Sequence, residues 1–307
     1  TSLSPYAGTI ANSGCWAAER AVKSVELSIG GQRIDKHYQL WWRLYSELYL
    51  DESKKASYGK MTSKCLAANG GNQTVFLPLI FFFNRNPGLF LPLIALQYHE
   101  VRLDFDLSSE FSTYTDGSTF KVWGNYVYLD TEERRRFAQK GHEYLIEQVQ
   151  HTGTDTVSAG SEVQKRLSYN HPVKELVWCA TQASGVTGDA NQLWNFTDTP
   201  ITVSSLMSAD VDSNVSIAPG AAGAPVLIGD VQFDEQTSGP LDSFKLVLNG
   251  QDRFKEQDGK YFNQVQPFVH HSGSPMPGIY SYSFALKPEE HQPTGTCNFS
   301  RIDNAQV

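Results

Sequence analysis

The sequence predicts an all-β protein of sandwich or jelly-roll type, organised as two similar halves. Three observations predict it. Apolar and polar residues alternate with a period of two in several short runs, one strand-and-turn pattern occurs twice, and helix signals are few. The clearest run is Val101-Arg102-Leu103-Asp104-Phe105-Asp106-Leu107, apolar at every odd position and charged at every even one. Successive side chains of a strand point to opposite faces, so this run reads as a half-buried strand with one wet face. Val25, Leu27 and Ile29 alternate with Glu26 and Ser28. Phe244, Leu246 and Leu248 form a similar set around Lys245, although Val247 is apolar too. Residues 75–83, from Val75 to Phe83, do not alternate and read as a strand buried on both faces, with Pro78 at a bulge or strand start. Turn residues follow at once in Asn84-Arg85-Asn86-Pro87-Gly88. The clearest helix signal is Asp130-Thr131-Glu132-Glu133 followed by Arg134-Arg135-Arg136, a capping residue with acids and then bases, expected to end at Gly141.

Two features divide the chain. Ser24-Val25-Glu26-Leu27-Ser28-Ile29-Gly30-Gly31-Gln32 aligns with Ser243-Phe244-Lys245-Leu246-Val247-Leu248-Asn249-Gly250-Gln251, 219 residues further on. The Ser, first Leu, final Gly and Gln positions are identical. A strand ending in a Gly-Gln turn thus occurs once per half, although two amphipathic strands also resemble one another by chance. The second feature is a composition shift: between Lys174 and Lys245 there is no Lys or Arg, while Asp189, Asp198, Asp210, Asp212, Asp230, Asp234, Glu235 and Asp242 make the stretch acidic. Its middle reads as long solvated loops. A Gly-, Ser- and Thr-rich boundary near residues 152–160 gives two domains, 1–158 and 159–307.

Composition sets the outer limits. With 40% hydrophobic and 12% aromatic residues in 307, a sizeable core can be buried, and 19% charged residues argue against bulk disorder. The net charge of -8 disfavours nucleic acid as a direct partner. Arg134-Arg135-Arg136 follows Glu132-Glu133 and reads as a self-compensated helix, not a phosphate-binding stripe. The longest apolar stretch, residues 75–83, is far shorter than the ~20 residues of a spanning helix, so no membrane insertion is expected. Cys15, Cys65, Cys179 and Cys297 are scattered without a CxxC pair and read as reduced thiols. The chain opens without an initiator Met or signal segment and stops without an evident terminus, so a trimmed sequence is expected.

No catalytic constellation emerges. His270-His271 are adjacent, so on a strand they would face opposite ways and make a poor metal site; His142-Glu143 and His99-Glu100 share the problem. HExxH, GxSxG, GxxxxGK[ST] and GxGxxG are absent, and no cofactor is expected. A glycosidase carboxylate pair is a spatial motif that sequence does not reveal. Four N-x-[ST] sequons occur, at Asn72, Asn195, Asn214 and Asn298. Asn195, Asn214 and Asn72 are the candidate glycan acceptors, with unmodified asparagine the expected state in the absence of a secretory signal. Arg33, Asp35 and His37 alternate as though exposed, and ion pairing within the fold is preferred over a subunit contact.

Longer segments carry a resemblance. Val25-Glu26-Leu27-Ser28-Ile29-Gly30-Gly31-Gln32-Arg33-Ile34-Asp35-Lys36-His37-Tyr38 comes first, then Asn86-Pro87-Gly88-Leu89 and Leu91-Pro92-Leu93-Ile94-Ala95-Leu96-Gln97-Tyr98-His99-Glu100-Val101. Tyr128-Leu129-Asp130-Thr131-Glu132-Glu133-Arg134, His142-Glu143-Tyr144-Leu145-Ile146-Glu147-Gln148 and Asn170-His171-Pro172-Val173-Lys174 follow. Leu248-Asn249-Gly250-Gln251-Asp252-Arg253-Phe254, Tyr282-Ser283-Phe284-Ala285-Leu286-Lys287-Pro288 and Ser300-Arg301-Ile302-Asp303-Asn304-Ala305 complete the set. In order and over nearly the whole chain, these resemble the major capsid proteins of nucleocytoplasmic large DNA viruses, of the algal phycodnavirus and iridovirus type.

The resemblance implies two tandem jelly rolls, the first lacking its opening strand and the second its closing strands. It implies a homotrimer of pseudo-hexagonal outline in an icosahedral shell, assembled inside the host cell, with neighbouring capsomers and minor capsid proteins as partners. By that account a segment lacking strands exposes unpaired edges and is less stable than a longer chain. The function expected is structural, in the virion and without catalysis. The alternatives from other classes are a secreted carbohydrate-binding jelly roll and a jelly-roll glycosidase.

Overall fold

A computed structural model describes residues 2–3, 16–62, 73–109, 111, 120–158, 160–180, 194, 196 and 239–307. Strand β1 (Ser2–Leu3) and the short helix α1 (Ala17–Ala21) precede the main hairpin of the first half, β2 (Val22–Ile29) and β3 (Gln32–Tyr38). Helices α2 (Gln39–Leu48) and α3 (Glu52–Thr62) follow, then β4 (Gln73–Thr74), the one-turn helix α4 (Phe82–Arg85) and β5 (Val101–Leu107). Helix α5 (Thr131–Gln139) stands in a long stretch of irregular, largely exposed backbone. The second half holds β6 (Pro172–Val173), β7 (Glu175–Cys179), β8 (Ser243–Phe244), β9 (Val247–Leu248), β10 (Gln251–Asp252) and β11 (Gln257–Asp258). A π-helical turn (Tyr261–Val265), α6 (Gln266–His270), β12 (Ile279–Ser283), β13 (Cys297–Asn298) and β14 (Ala305–Gln306) close it.

The best-formed sheet has the antiparallel order β3-β2-β5, with Val25 opposite Phe105 and Leu27 opposite Leu103. The alternation read from sequence has its physical basis here: Val25 and Leu27 are fully buried, while Glu26 reaches Lys36 across the outer face at 3.5 Å. Both Gly-Gln turns of the repeat are hairpin turns of one kind. Gly30 and Gly31 have φ of 59° and 81°, Asn249 and Gly250 have φ of 50° and 79°, and the flanking pairs are Ile29 with Gln32 and Leu248 with Gln251. Two successive positive φ values define the primed two-residue turn that matches strand twist, and Gly-Gly and Asn-Gly are the residues that tolerate it. Leu27 and Leu246, each three residues before its turn, are both fully buried.

Several local expectations need correction. Residues 75–80 form no strand: Trp42 Nε1 donates to the Pro78 carbonyl at 3.0 Å, and Phe82 begins α4. Apolar content there fills the core without a ladder, because Val75, Ile80, Phe81 and Phe82 are buried individually. His270 ends α6 and His271 caps it, so neither lies on a strand. Asp35 and His37 are buried, not exposed: His37 Nε2 meets Asp35 Oδ2 at 2.9 Å, and the imidazole stacks on Phe81 at 4.2 Å. The pair lies within the fold, as expected, while Arg33 stays exposed. Asp130 caps α5 by accepting from the Glu133 amide, but the helix ends at Lys140 in an extended conformation and not through a left-handed Gly141.

Three apolar clusters hold the described residues together. One belongs to the first half (Val25, Leu27, Trp42, Phe81) and one to the second (Leu246, Phe262, Tyr280, Phe299). The third joins them: Trp16, Leu44, Leu48 and Tyr58 pack with Trp194, Phe196 and Ile279. Gly273 brings the second half onto the end of α2, its amide donating to the Leu48 carbonyl at 3.1 Å. A methyl group added there would lie 2.4 Å from the Glu47 carbonyl oxygen and 2.7 Å from that of Leu48. Gly273→Ala is therefore expected to cost about 1–3 kcal/mol through overpacking against rigid backbone. Denaturant unfolding would measure it, and an unchanged midpoint would contradict so close an approach.

Candidate assembly surfaces and the junction between halves

Helix α2 carries the chemistry of the junction. Its Arg43 is buried, pairs with Glu47 one turn on at 2.9 Å and Glu19 at 3.7 Å, and lies over the Trp16 ring at 3.6 Å. Tyr58 donates to Glu19 at 2.7 Å. Burial pushes the Glu19 carboxyl up, against the opposing pull of Arg43 and Tyr58. At the far end of the helix, Lys55 reaches Glu47 and donates to the Ser274 carbonyl at 2.7 Å.

A second set of charges lies alongside. Glu147 is held by Arg85 at 2.6 Å and by the Lys174 ammonium, which also donates to the Glu290 carbonyl. The imidazole of His271 is buried between Glu175 at 2.9 Å and Glu289 at 3.4 Å. Glu289 accepts from the Ser272 amide and hydroxyl, and the Tyr49 ring stands edge-on to the imidazole at 5.2 Å. Burial alone would lower the His271 pKa, but the hydrogen bond to Glu175, the approach of Glu289 and the charges of both raise it to about 9. Sequence reading considered His271 only beside His270 and missed its carboxylate partners, which lie 96 residues before it and 18 after it.

This arrangement is a set of ion pairs joined by hydrogen bonds from Ser272 to Glu289. Among the described residues no group of His, Cys, Asp and Glu is placed to hold a metal ion, and no helix is long and apolar enough to cross a membrane. Candidate acceptors Asn72, Asn195 and Asn214 lie outside the described residues, as do Cys15, Cys65 and most of the acidic stretch. Asn298 is exposed and accepts from the Ser300 amide at 3.1 Å, capping a short 3-10 turn. Cys179 and Cys297 are free thiols, and burial pushes that of Cys179 up to about 12.

Two apolar surfaces are exposed. Residues 122–128 present Val122, Trp123, Tyr126, Val127 and Tyr128, with Trp123 79% and Tyr128 93% accessible. On the second half, Val265, Phe268, Val269 and Leu286 are exposed, Phe268 to 88%. Exposed apolar residues grouped in this way are candidates for contact with other molecules.

A family model described as "Large eukaryotic DNA virus major capsid protein" matches residues 133–307, and one described as "Major capsid protein N-terminus" matches residues 5–130. The chain belongs to this family. It is 44% identical over 311 residues to a major capsid protein of Paramecium bursaria Chlorella virus 1, covering 95% of this chain and 67% of that protein. It is 39% identical over 326 residues to a major capsid protein of Pyramimonas orientalis virus, covering 95% and 69%. Among solved structures, a quasi-atomic PBCV-1 virus capsid superposes with a TM-score of 0.73 at 39% identity, over 99% of this chain and 74% of that one. The Faustovirus major capsid protein, 14% identical with a TM-score of 0.64 over 100% and 69%, shows the fold alone.

The architecture is thus the double jelly roll of viral major capsid proteins, as the sequence led us to expect. Helices α2 and α3 stand in the chain between strands β3 and β4. A major capsid protein is a component of the virion shell, and building a shell from it implies self-association. Family membership sets this reading above the carbohydrate-binding and glycosidase alternatives.

Proposed function

We propose that the protein is a non-catalytic shell subunit, forming homotrimeric capsomers of pseudo-hexagonal outline in the icosahedral capsid of a double-stranded DNA virus. The observation that carries this reading is the pair of exposed apolar surfaces, residues 122–128 on one half and the Phe268 patch on the other. Different surfaces on one chain favour head-to-tail contacts between copies, and such contacts close into a ring when the rotation permits. Three copies of a two-roll chain supply six rolls, which suits a lattice position with six neighbours.

The further partners are neighbouring capsomers and minor capsid proteins. A net charge of -8 favours a shell held apart from the genome, with no direct nucleic-acid contact and no membrane insertion. We place the division between rolls near residue 158. In support, Tyr144 and Ile146 pack on the first cluster, Val149 donates to Asp35 at 3.1 Å, and Leu167 pairs with Ala305 at 2.8 Å.

Sedimentation analysis and electron microscopy of purified protein test the proposal. A trimer of hexagonal outline is expected, together with a shift toward monomer in a Trp123→Ser/Phe268→Ser variant. A monomeric wild type, or a variant that stays fully trimeric, would overturn the assignment of these surfaces.

A further inference from the structure

The charged junction between the halves buries one imidazole between two carboxylates. His271 sits where three segments meet: it caps α6, Glu175 opens β7, and Glu289 comes from the loop after β12. The end of α2 closes the site with Tyr49, and the Gly273 amide docks on the Leu48 carbonyl two residues after the histidine. The charges beyond this set are already engaged. Among the described residues, Arg85 and Lys174 are bound to Glu147, His291 stands 3.9 Å from the same carboxylate, Lys55 is bound to Glu47 and Glu52, and Lys287 to Glu290. His270 faces away, with Nδ1 at 3.0 Å from the Leu286 carbonyl oxygen. His271 is thus the cation placed to balance Glu175 and Glu289.

We propose that His271 is a proton-operated fastener between the two halves: as imidazolium it ties Glu175 and Glu289 under the end of α2, and loss of its proton in alkaline solution loosens that junction. The geometry favours it. Nε2 hydrogen-bonds Glu175 at 2.9 Å, while Nδ1 is buried at ion-pair distance from Glu289, 3.4 Å, without a hydrogen bond. A neutral imidazole can donate from only one nitrogen, whereas the imidazolium presents positive charge to both carboxylates. Without the proton, two carboxylates, one 6% and the other 29% exposed, remain with no balancing cation between them. The sign follows from linkage. The folded pKa, raised to about 9 from 6.5, lies above the unfolded one, so the stabilisation is complete below the unfolded pKa and is lost as pH rises through the folded value. The first segments to respond are 271–276 and 287–291, with the three apolar clusters still in place. The inference concerns the subunit itself and holds whatever its oligomeric state.

Carbon-13 labelling of the histidine rings reads the proton directly, with the His271 signal assigned by its disappearance in His271→Gln. The wild-type midpoint is expected far above that of an ordinary histidine. Glu289→Gln, at a partly exposed position, is expected to lower the proton affinity of His271 at least about tenfold, one pH unit. Hydrogen exchange of peptides spanning 266–276 and 287–291, corrected for its intrinsic pH dependence, gives the mechanical readout from about pH 7 to about pH 10. Exchange should rise with deprotonation in the wild type and at lower pH in Glu289→Gln. A His271 midpoint near 6.5, a midpoint unmoved by Glu289→Gln, or exchange that stays flat while His271 titrates would each overturn the proposal. The wild type and Glu289→Gln alone decide the matter if His271→Gln fails to fold.

Discussion

Leu27→Ala and Leu246→Ala are each expected to destabilise the protein by about 2–5 kcal/mol, among the largest effects of any single substitution. Both side chains are fully buried, and neither neighbourhood can collapse easily. Leu27 lies on the central strand of β3-β2-β5, against a cluster that includes Trp42 and Phe81. Leu246 is enclosed by the cluster of Phe262, Tyr280 and Phe299, in which rigid rings predominate. Removing three carbons from either site leaves a cavity, and the loss comprises transfer and cavity contributions together. Because the leucines belong to different clusters, the double variant should show the sum of the two losses within about 0.5 kcal/mol. Denaturant unfolding provides the measurement. A loss under about 1 kcal/mol at either site would contradict tight packing there.

Arg43→Met should cost about 3–5 kcal/mol, the loss expected when one partner of a buried ion pair is removed. Methionine preserves much of the stem but leaves Glu47 without its 2.9 Å partner, and Glu19, fully buried, without a cation at 3.7 Å. It also removes the guanidinium from the face of Trp16, a contact worth about 0.5–2 kcal/mol by itself. Burial already raises the Glu19 pKa, and losing Arg43 must raise it further. A group with a raised folded pKa takes up a proton on folding, so the deficit of the variant should narrow as pH falls into the carboxylate range. Adding Glu19→Gln to Arg43→Met removes the stranded charge and should recover part of the loss. Equal stability of Arg43→Met and the wild type at neutral pH would show that the cluster is neutral in the fold.

Some features were legible because their cause is local. Alternation in 101–107 reports a strand with one wet face, and β5 occupies that range. Gly30-Gly31 and Asn249-Gly250 specify their turns through backbone freedom alone. The Asp130 cap and the acids after it place α5 to the residue at its start. Helix α2 was not read from the sequence although Leu40, Trp41, Leu44, Tyr45 and Leu48 recur at the helical period; what only folding shows is that Arg43, Ser46 and Glu47 are buried on the same helix. Helix α3 buries only Tyr58, Gly59 and Thr62, too little to leave a stripe. Residues 75–83 misled in the opposite direction: hydrophobicity reports burial, and only neighbouring strands decide whether a buried segment joins a ladder.

By itself the sequence determined the family, the double jelly-roll class, the two hairpin turns and the absence of familiar catalytic motifs, since each is written in contiguous residues. Tertiary structure alone decided which charges are buried together. Asp35 and His37 looked like an exposed pair until Phe81 covered them, and His271 gained its partners from positions 175 and 289. The physical reason is that a strand or turn is specified by neighbours along the chain, whereas the electrostatics of a buried ion depends on groups that only folding brings within a few ångströms.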